Sequence, residues 1–247
     1  MQFFKRILKA PEPEVKGIAR EERRSAQRLA INPEFPLKTA LSFTDGDDTR
    51  QRRDWKGRLI NCSAVGARIQ LGPAALAVRG DYCDLKLSLE GFKLVVPCHI
   101  TNIRVERDGI HFGLKHDIDD AATQNAYRQF LEIVALGATL KPKFKLSKPD
   151  ESGYLVEQYA GDSQSRLRVW RDRADRKVAA FEFLLKDCLV RGAREQAVEH
   201  LDGTATGAQP AAPNKAAEIQ RLYQWVVPNL APAVPADVRE FLQYFAG

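Results

Sequence analysis

The sequence predicts a protein that is mainly β with α: an N-terminal antiparallel β-barrel or sandwich with a closing helix, then a smaller C-terminal α+β extension. Two observations predict this class. Between residues 35 and 117, short apolar or alternating runs are separated by turn residues, as in antiparallel sheets. After residue 117 the apolar period becomes that of a helix, and both patterns return once more before the C-terminus. The length of 247 residues allows one large domain or two ordinary ones.

The first sheet and its helix are predicted to occupy residues 35–137. The strand-like runs are 37–43, 54–71, 82–89, 93–105 and 109–115. Dipeptides such as Asp45-Gly46, Glu90-Gly91 and Asp108-Gly109 fall between the runs, where glycine adopts turn conformations easily. A helical stripe follows, formed by Tyr127, Phe130, Leu131 and Val134, and Gly137 is expected to end that helix.

The remaining chain is predicted to form three parts. Residues 138–202 indicate a β-meander of about three strands, and residues 203–214 have the small, polar, Pro-containing composition of a linker. Residues 215–247 carry two apolar stripes at helical spacing, Ile219–Leu222–Tyr223–Val226 and Val238–Phe241–Leu242–Phe245. These stripes are expected to pack in a core or to serve as a partner or self-association surface.

Composition excludes several classes of protein. With 44% hydrophobic and 28% charged residues, the chain is unlike disordered, fibrous or membrane proteins, and no run is apolar enough to span a bilayer. Four cysteines without CxxC spacing favour a reduced, cytoplasmic protein. A net charge of +6 favours anionic partners without identifying them.

Two short motifs suggest a function. Arg24 and Arg28 form an RxxxR pair on an N-terminal arm, residues 1–34, whose polar composition predicts exposure. Arginine pairs at this spacing are common by chance, but Asn61, Ser63 and Gly66 form an NxSxxG pattern that chance would produce only about 0.05 times in such a chain. The occurrence of both motifs in one chain, with β-type sequence around the second, is the observation that indicates a function.

Together the motifs resemble those of the PilZ domain family, and the resemblance covers about residues 19–136. It implies a six-stranded antiparallel β-barrel with a closing helix, whose last strand contains His111–Leu114, and a bacterial receptor for cyclic di-GMP that controls motility, biofilm formation, adhesion or virulence. By the same resemblance, Arg24 and Arg28 contact phosphate and guanine, whereas Asn61, Ser63 and Gly66 shape the guanine pocket. The sequence does not fix the number of ligand molecules, and Arg23, directly before the RxxxR pair, is the candidate contact for a second one. No metal or cofactor is expected.

The residue chemistry agrees with this interpretation. A guanidinium binds phosphate or the guanine edge through two hydrogen bonds and also stacks on bases. We therefore expect residues 20–31 to be mobile without nucleotide and to close over the barrel with it, which changes the C-terminal output region.

Three alternatives remain open at this stage. The first is a PilZ-like adaptor that acts through protein contacts alone. The second is nucleic-acid binding by the arginines around Trp170 in the second sheet, although interspersed aspartates argue against it. The arginines are Arg166, Arg168, Arg171, Arg173 and Arg176. The third is an enzyme, which finds little support: the histidines lack metal-site spacing, and Cys62 is expected to be a packing residue.

Overall fold

A computed structural model describes residues 26–43, 54–145, 149–162, 164–204 and 207–247. The chain divides between Leu131 and Glu132 into two compact units. Each unit is built around its own antiparallel sheet. Among the described helices, none has both the length and the apolar character needed to cross a membrane.

The first unit is a closed six-stranded barrel with one additional strand. Its strands are β1 Leu29–Ala30, β2 Lys38–Phe43, β3 Trp55–Ser63, β4 Gly66–Leu71, β5 Tyr82–Leu89, β6 Phe92–Glu106 and β7 Gly109–His116. The hydrogen-bonded order is β3-β2-β5-β6-β7-β4, and pairing of β4 with β3 closes the barrel. β1 pairs with β3 from outside this ring. The predicted antiparallel barrel is therefore confirmed, and its closure gives each of these six strands a partner on both sides.

The alternation of buried and more exposed residues along the strands shows which side chains form the barrel core. In β5 every second residue is buried, and the inward side chains of the other strands meet them in the interior. The fully enclosed members include Leu41, Leu85, Ile69, Val96, Ile100 and Phe112. The β6–β7 turn requires glycine at residue 109, where φ is +140° and an added Cβ would lie 2.4 Å from the Leu71 carbonyl oxygen.

The predicted closing helix is present as α1, Ala121–Ala138. It begins behind Asp120, whose carboxylate accepts a hydrogen bond from the Thr123 amide at 2.7 Å. Tyr127 and Phe130 are buried, and Phe130 stacks on Phe92 of β6 with 6.4 Å between ring centroids. Gly137, expected to end the helix, lies within it instead. An added Cβ there would be 2.9 Å from the carbonyl oxygens of Val226 and Asn229, so close backbone packing requires the glycine.

The second unit is larger than its sequence pattern indicates. It contains a seven-stranded antiparallel meander rather than about three strands, comprising β8 Lys141–Lys145, β9 Leu155–Ala160, β10 Ser165–Arg171, β11 Val178–Leu185, β12 Cys188–Ala193, β13 Glu199–Asp202 and β14 Gln209–Pro210. β14 lies inside the stretch whose composition predicts a linker.

Two helices complete this unit, α2 Pro213–Val226 and α3 Ala236–Tyr244, with a 3-10 turn Val227–Asn229 between them. The first apolar stripe is buried in full, and Val238 and Leu242 of the second are enclosed. Phe181 of β11 lies 5.8 Å from Tyr223 and 5.3 Å from Phe245, measured between ring centroids. The stripes therefore pack in the core of the unit, which does not leave them free as a self-association surface.

Candidate anion-binding groove

A groove of about 1250 Å³ lies on the barrel. Its walls are the β3–β4 hairpin, the facing parts of β6 and β7, the beginning of α1, and the residues that lead into β1. Asn61, Ser63, Gly66 and Arg28, which the two motifs single out, all line it. The fold thus brings together the described members of both motifs, although Arg28 and Asn61 are 33 positions apart in the sequence.

The NxSxxG motif forms the tip of the β3–β4 hairpin. Ser63 and Gly66 are cross-strand partners, and the two residues between them make the turn. The Ser63 hydroxyl donates to the Gly66 carbonyl oxygen at 3.2 Å, while Asn61 remains half-buried at the groove wall. This hairpin therefore holds a hydroxyl and an amide on a rigid edge of the barrel, where they can meet the polar edge of a ligand.

Gly66 has a clear packing requirement. An added Cβ would lie 2.3 Å from the Leu114 carbonyl oxygen, because β7 passes directly behind β4. A backbone atom cannot move aside as a flexible side chain would. The glycine at this motif position is consequently required for barrel closure, whereas its role in shaping a guanine pocket stays a prediction.

Arg28 is held next to the hairpin by the short strand β1. Leu29 pairs with Cys62 and Ala30 with Asn61, and the Ile31 amide donates to the Ile60 carbonyl oxygen at 3.0 Å. Leu29 and Ile31 are buried, whereas the Arg28 side chain is exposed. No described residue forms an ion pair or hydrogen bond with Arg28, so its guanidinium is available to a ligand.

This arrangement differs from the expected arm in one respect. The sequence predicts exposure and mobility through Ile31, but residues 29–31 are part of the barrel. Leu29 and Ile31 are too few to form a recognisable apolar pattern in the sequence. They are nevertheless sufficient to cover one side of β3. Arg23 and Arg24 lie outside the described residues.

Sequence reasoning missed four further cations in the groove. They are Arg68 of β4, Arg104 of β6, Lys115 of β7 and Arg128 of α1. Arg68 is paired with Glu106 at 2.6 Å and Lys115 lies 3.9 Å from Asp117, whereas Arg104 has no ion pair with any described residue. With Arg28, five cationic side chains line the groove, and none of its described lining residues is a carboxylate. Such a concave surface attracts anions.

Near neutral pH, one ring in the lining of the groove, that of His116, is uncharged. Burial lowers the pKa of His116 to about 4, so its imidazole is neutral there. Its ring meets that of Tyr127 edge-on at 4.5 Å. Burial also raises the pKa of the Cys62 thiol to about 12 and that of Tyr127 well above its usual value. Cys62 is therefore a packing residue, as expected, and not an activated nucleophile.

One cluster near the groove has donor atoms that approach closely enough to share a metal ion. In it the His111 Nε2 lies 3.2 Å from a carboxylate oxygen of Asp108 and 3.6 Å from one of Glu106. Glu106 also pairs with Arg68, so ion pairing accounts for the cluster. The expectation of no metal stays a prediction.

Two of the arginines around Trp170 are paired with carboxylates within the second unit. Arg171 is buried against Glu157 and Asp237, and Arg168 lies 3.7 Å from Glu182. Because alternate residues of β10 point to opposite faces of the sheet, Arg166 and Arg168 are separated from Arg171. This neutralisation weakens the nucleic-acid interpretation.

The first part of the chain is similar to known proteins. Residues 22–132 match the model of the PilZ domain. Among solved structures, the PilZ domain of CeSA from a cellulose synthesizing bacterium is 14% identical, with a TM-score of 0.33, and the match covers 42% of this chain and 93% of that one. The PilZ domain with c-di-GMP of YcgR from Escherichia coli is 12% identical, with a TM-score of 0.35, and the match covers 44% of this chain and 88% of that one. A search of curated proteins found no match.

Proposed function

Because residues 22–132 match the model of the PilZ domain, we propose that this chain is a bacterial receptor for cyclic di-GMP. The observation that carries the proposal is the position of Arg28. β1 holds its guanidinium beside the NxSxxG hairpin, where it has no ion-pair partner among the described residues, in a groove lined by five cations and no described carboxylate. The proposed role is binding and signalling, and the biological process would be motility, biofilm formation or virulence.

The groove chemistry suits a cyclic dinucleotide. Such a ligand carries two phosphodiester charges and two flat purines with polar edges. Arg28 and the other groove cations offer donors to the phosphates, and guanidinium planes can also stack on a base. Asn61 offers donors and an acceptor to a guanine edge, and the Ser63 hydroxyl, whose proton is donated to Gly66, offers an acceptor.

The strength of these contacts explains why both motifs are needed. A hydrogen bond to a charged group contributes about 1.5–3 kcal/mol, whereas micromolar affinity requires about 8 kcal/mol after ordering costs are subtracted. Arg24 and Arg28 alone would not reach that value. The preformed hairpin supplies further contacts from the barrel without an additional ordering cost.

The switch would involve the chain before β1. Because Leu29–Ala30 is paired with β3, we propose that the response to nucleotide involves the residues before Leu29. Nucleotide would draw Arg24, and Arg23 with a second ligand molecule, onto the groove beside Arg28. Ordering of a segment by an anion is a known mode of switching.

The output would pass to the C-terminal region, which we propose acts on a protein partner. α1 lines the groove with Gln124 and Arg128, and it ends at Ala138 within the second unit. It is therefore the described element that belongs to both the ligand site and the proposed output region.

Calorimetric titration with cyclic di-GMP tests the proposal. The wild-type chain should bind in the micromolar range or tighter, and Arg28→Ala and Arg24→Ala should each weaken binding by about tenfold or more, since each removes a charge-assisted contact. Arg79→Ala is the matched control, because Arg79 is exposed and outside the groove.

Equal loss in Arg79→Ala would indicate general electrostatic attraction rather than a site. A folded wild-type chain that shows no heat of binding at millimolar nucleotide would reject the receptor function and leave the adaptor alternative.

A further inference from the structure

The Tyr127 hydroxyl connects α1 to the motif hairpin. It donates to the carbonyl oxygen of Ser63 at 3.0 Å, across 64 positions of sequence. Tyr127 is 3% exposed, and its ring is fixed between His116 and Phe130. The hydroxyl itself therefore faces the hairpin and not the ligand.

This bond joins the two parts through the backbone of a motif residue. Ser63 lies at the turn of the hairpin, so the position of its carbonyl group also sets the position of its hydroxyl and of Asn61 two residues earlier. A buried donor that loses its acceptor is costly. The hairpin and the first half of α1 are consequently held in register, and displacement of one strains the other.

We propose that Tyr127 is a positioning residue that couples occupancy of the groove to the stability of α1. The inference rests on the proposed nucleotide binding. A ligand that clamps the Asn61 and Ser63 side chains restricts the hairpin, which strengthens the bond from Tyr127 and stabilises the helix that carries it. Since coupling between two sites is reciprocal, the same bond must raise the affinity for the ligand.

A pair of tyrosine-to-phenylalanine variants tests this coupling. Tyr127→Phe removes only the hydroxyl from a buried site. Tyr223→Phe is the matched control, because that buried hydroxyl also donates to a backbone carbonyl, Leu242, at 2.8 Å in the second unit. Both variants should remain folded, with similar small losses of stability in thermal unfolding.

The two variants should differ in their response to nucleotide. In Tyr127→Phe, cyclic di-GMP should bind roughly threefold to tenfold more weakly, the range expected for loss of one hydrogen bond. At saturation it should slow hydrogen exchange of the α1 amides at residues 127–131 in the wild type, and it should no longer do so in Tyr127→Phe. Tyr223→Phe should keep both the wild-type affinity and the ligand-induced protection.

The outcomes separate the two proposals. If the wild type binds and Tyr127→Phe matches Tyr223→Phe in affinity and in helix protection, the coupling is wrong while the receptor function stands. If the wild type ignores the nucleotide, the receptor function fails and the coupling fails with it.

Discussion

At the scale of single residues, the identity of a motif position can be fixed by barrel packing before any ligand is considered. Gly66 shows this, since the Leu114 carbonyl oxygen occupies the space that a Cβ would need. Arg28 shows the opposite case: it is exposed and unpaired among the described residues, so packing does not explain it. The two motifs therefore contain both structural and ligand-directed positions.

Gly66→Ala should destabilise the barrel by about 2 kcal/mol or more, because a Cβ 2.3 Å from a backbone oxygen forces β4 and β7 apart. Urea unfolding measures this cost. Gly72→Ala is the control, since nothing lies within 4 Å of an added Cβ there. Equal stability of the two variants would show that the glycine is not needed for closure, and a ligand-specific role would then be its explanation.

At the scale of elements, the two-residue strand β1 determines where Arg28 lies. Its pairing with β3 fixes the point from which Arg28 reaches the groove. The burial of Leu29 and Ile31 holds it there, although neither belongs to a recognisable motif. The burial of these two apolar residues thus fixes the position of the charged residue next to them, Arg28.

Ile31→Ala should loosen β1 and weaken cyclic di-GMP binding several-fold, because Arg28 then has to be ordered at the time of binding. Titration gives the affinity, and faster exchange of the Ile31 amide would report the loosening. Leu89→Ala removes a buried side chain elsewhere in the barrel, at a residue that does not line the groove. It should lower stability and keep the affinity; equal affinity losses in both variants would rule out a specific role for β1.

The barrel and α1 were predictable from sequence because alternation and the helical stripe are local signals. Other features depend on which distant segments meet. Nothing near Arg104 or Arg128 indicates that the fold brings both to the Ser63 hairpin. Likewise, β14 forms within a stretch whose composition favours a linker, because it pairs there with β13.

At the scale of the whole molecule, the residues that line the groove differ from the residues that stabilise the second unit. All residues that line the groove belong to the first unit. In the second unit, Arg171 of β10 joins the sheet to α3: its side chain lies 3.1 Å from Glu157 and forms two hydrogen bonds with Asp237. Neither Arg171 nor its two partners line the groove, so this network makes no direct contact with a ligand bound there.

Arg171→Met should lower the stability of the second unit by about 2 kcal/mol, since it leaves two carboxylates without their partner. Hydrogen exchange of β10–β12 amides would locate the loss, and nucleotide affinity should equal that of the wild type. Lys177→Met is the control, because its pair with Asp175 is exposed and contributes little. A large fall in affinity in Arg171→Met would show that this network, although outside the groove, also supports the ligand site.

The same variant has a predictable pH dependence. Arg171 lowers the pKa of Asp237 below its usual value of 3.8 in the folded chain. The unfolded state thus binds this proton more readily, and the stabilisation is present above that value and is lost as the pH falls through the folded pKa. The stability difference between wild type and Arg171→Met should consequently be constant near neutrality and should shrink below about pH 4. A difference that persists unchanged in acid would assign the effect of Arg171 to the packing of its side chain rather than to its charge.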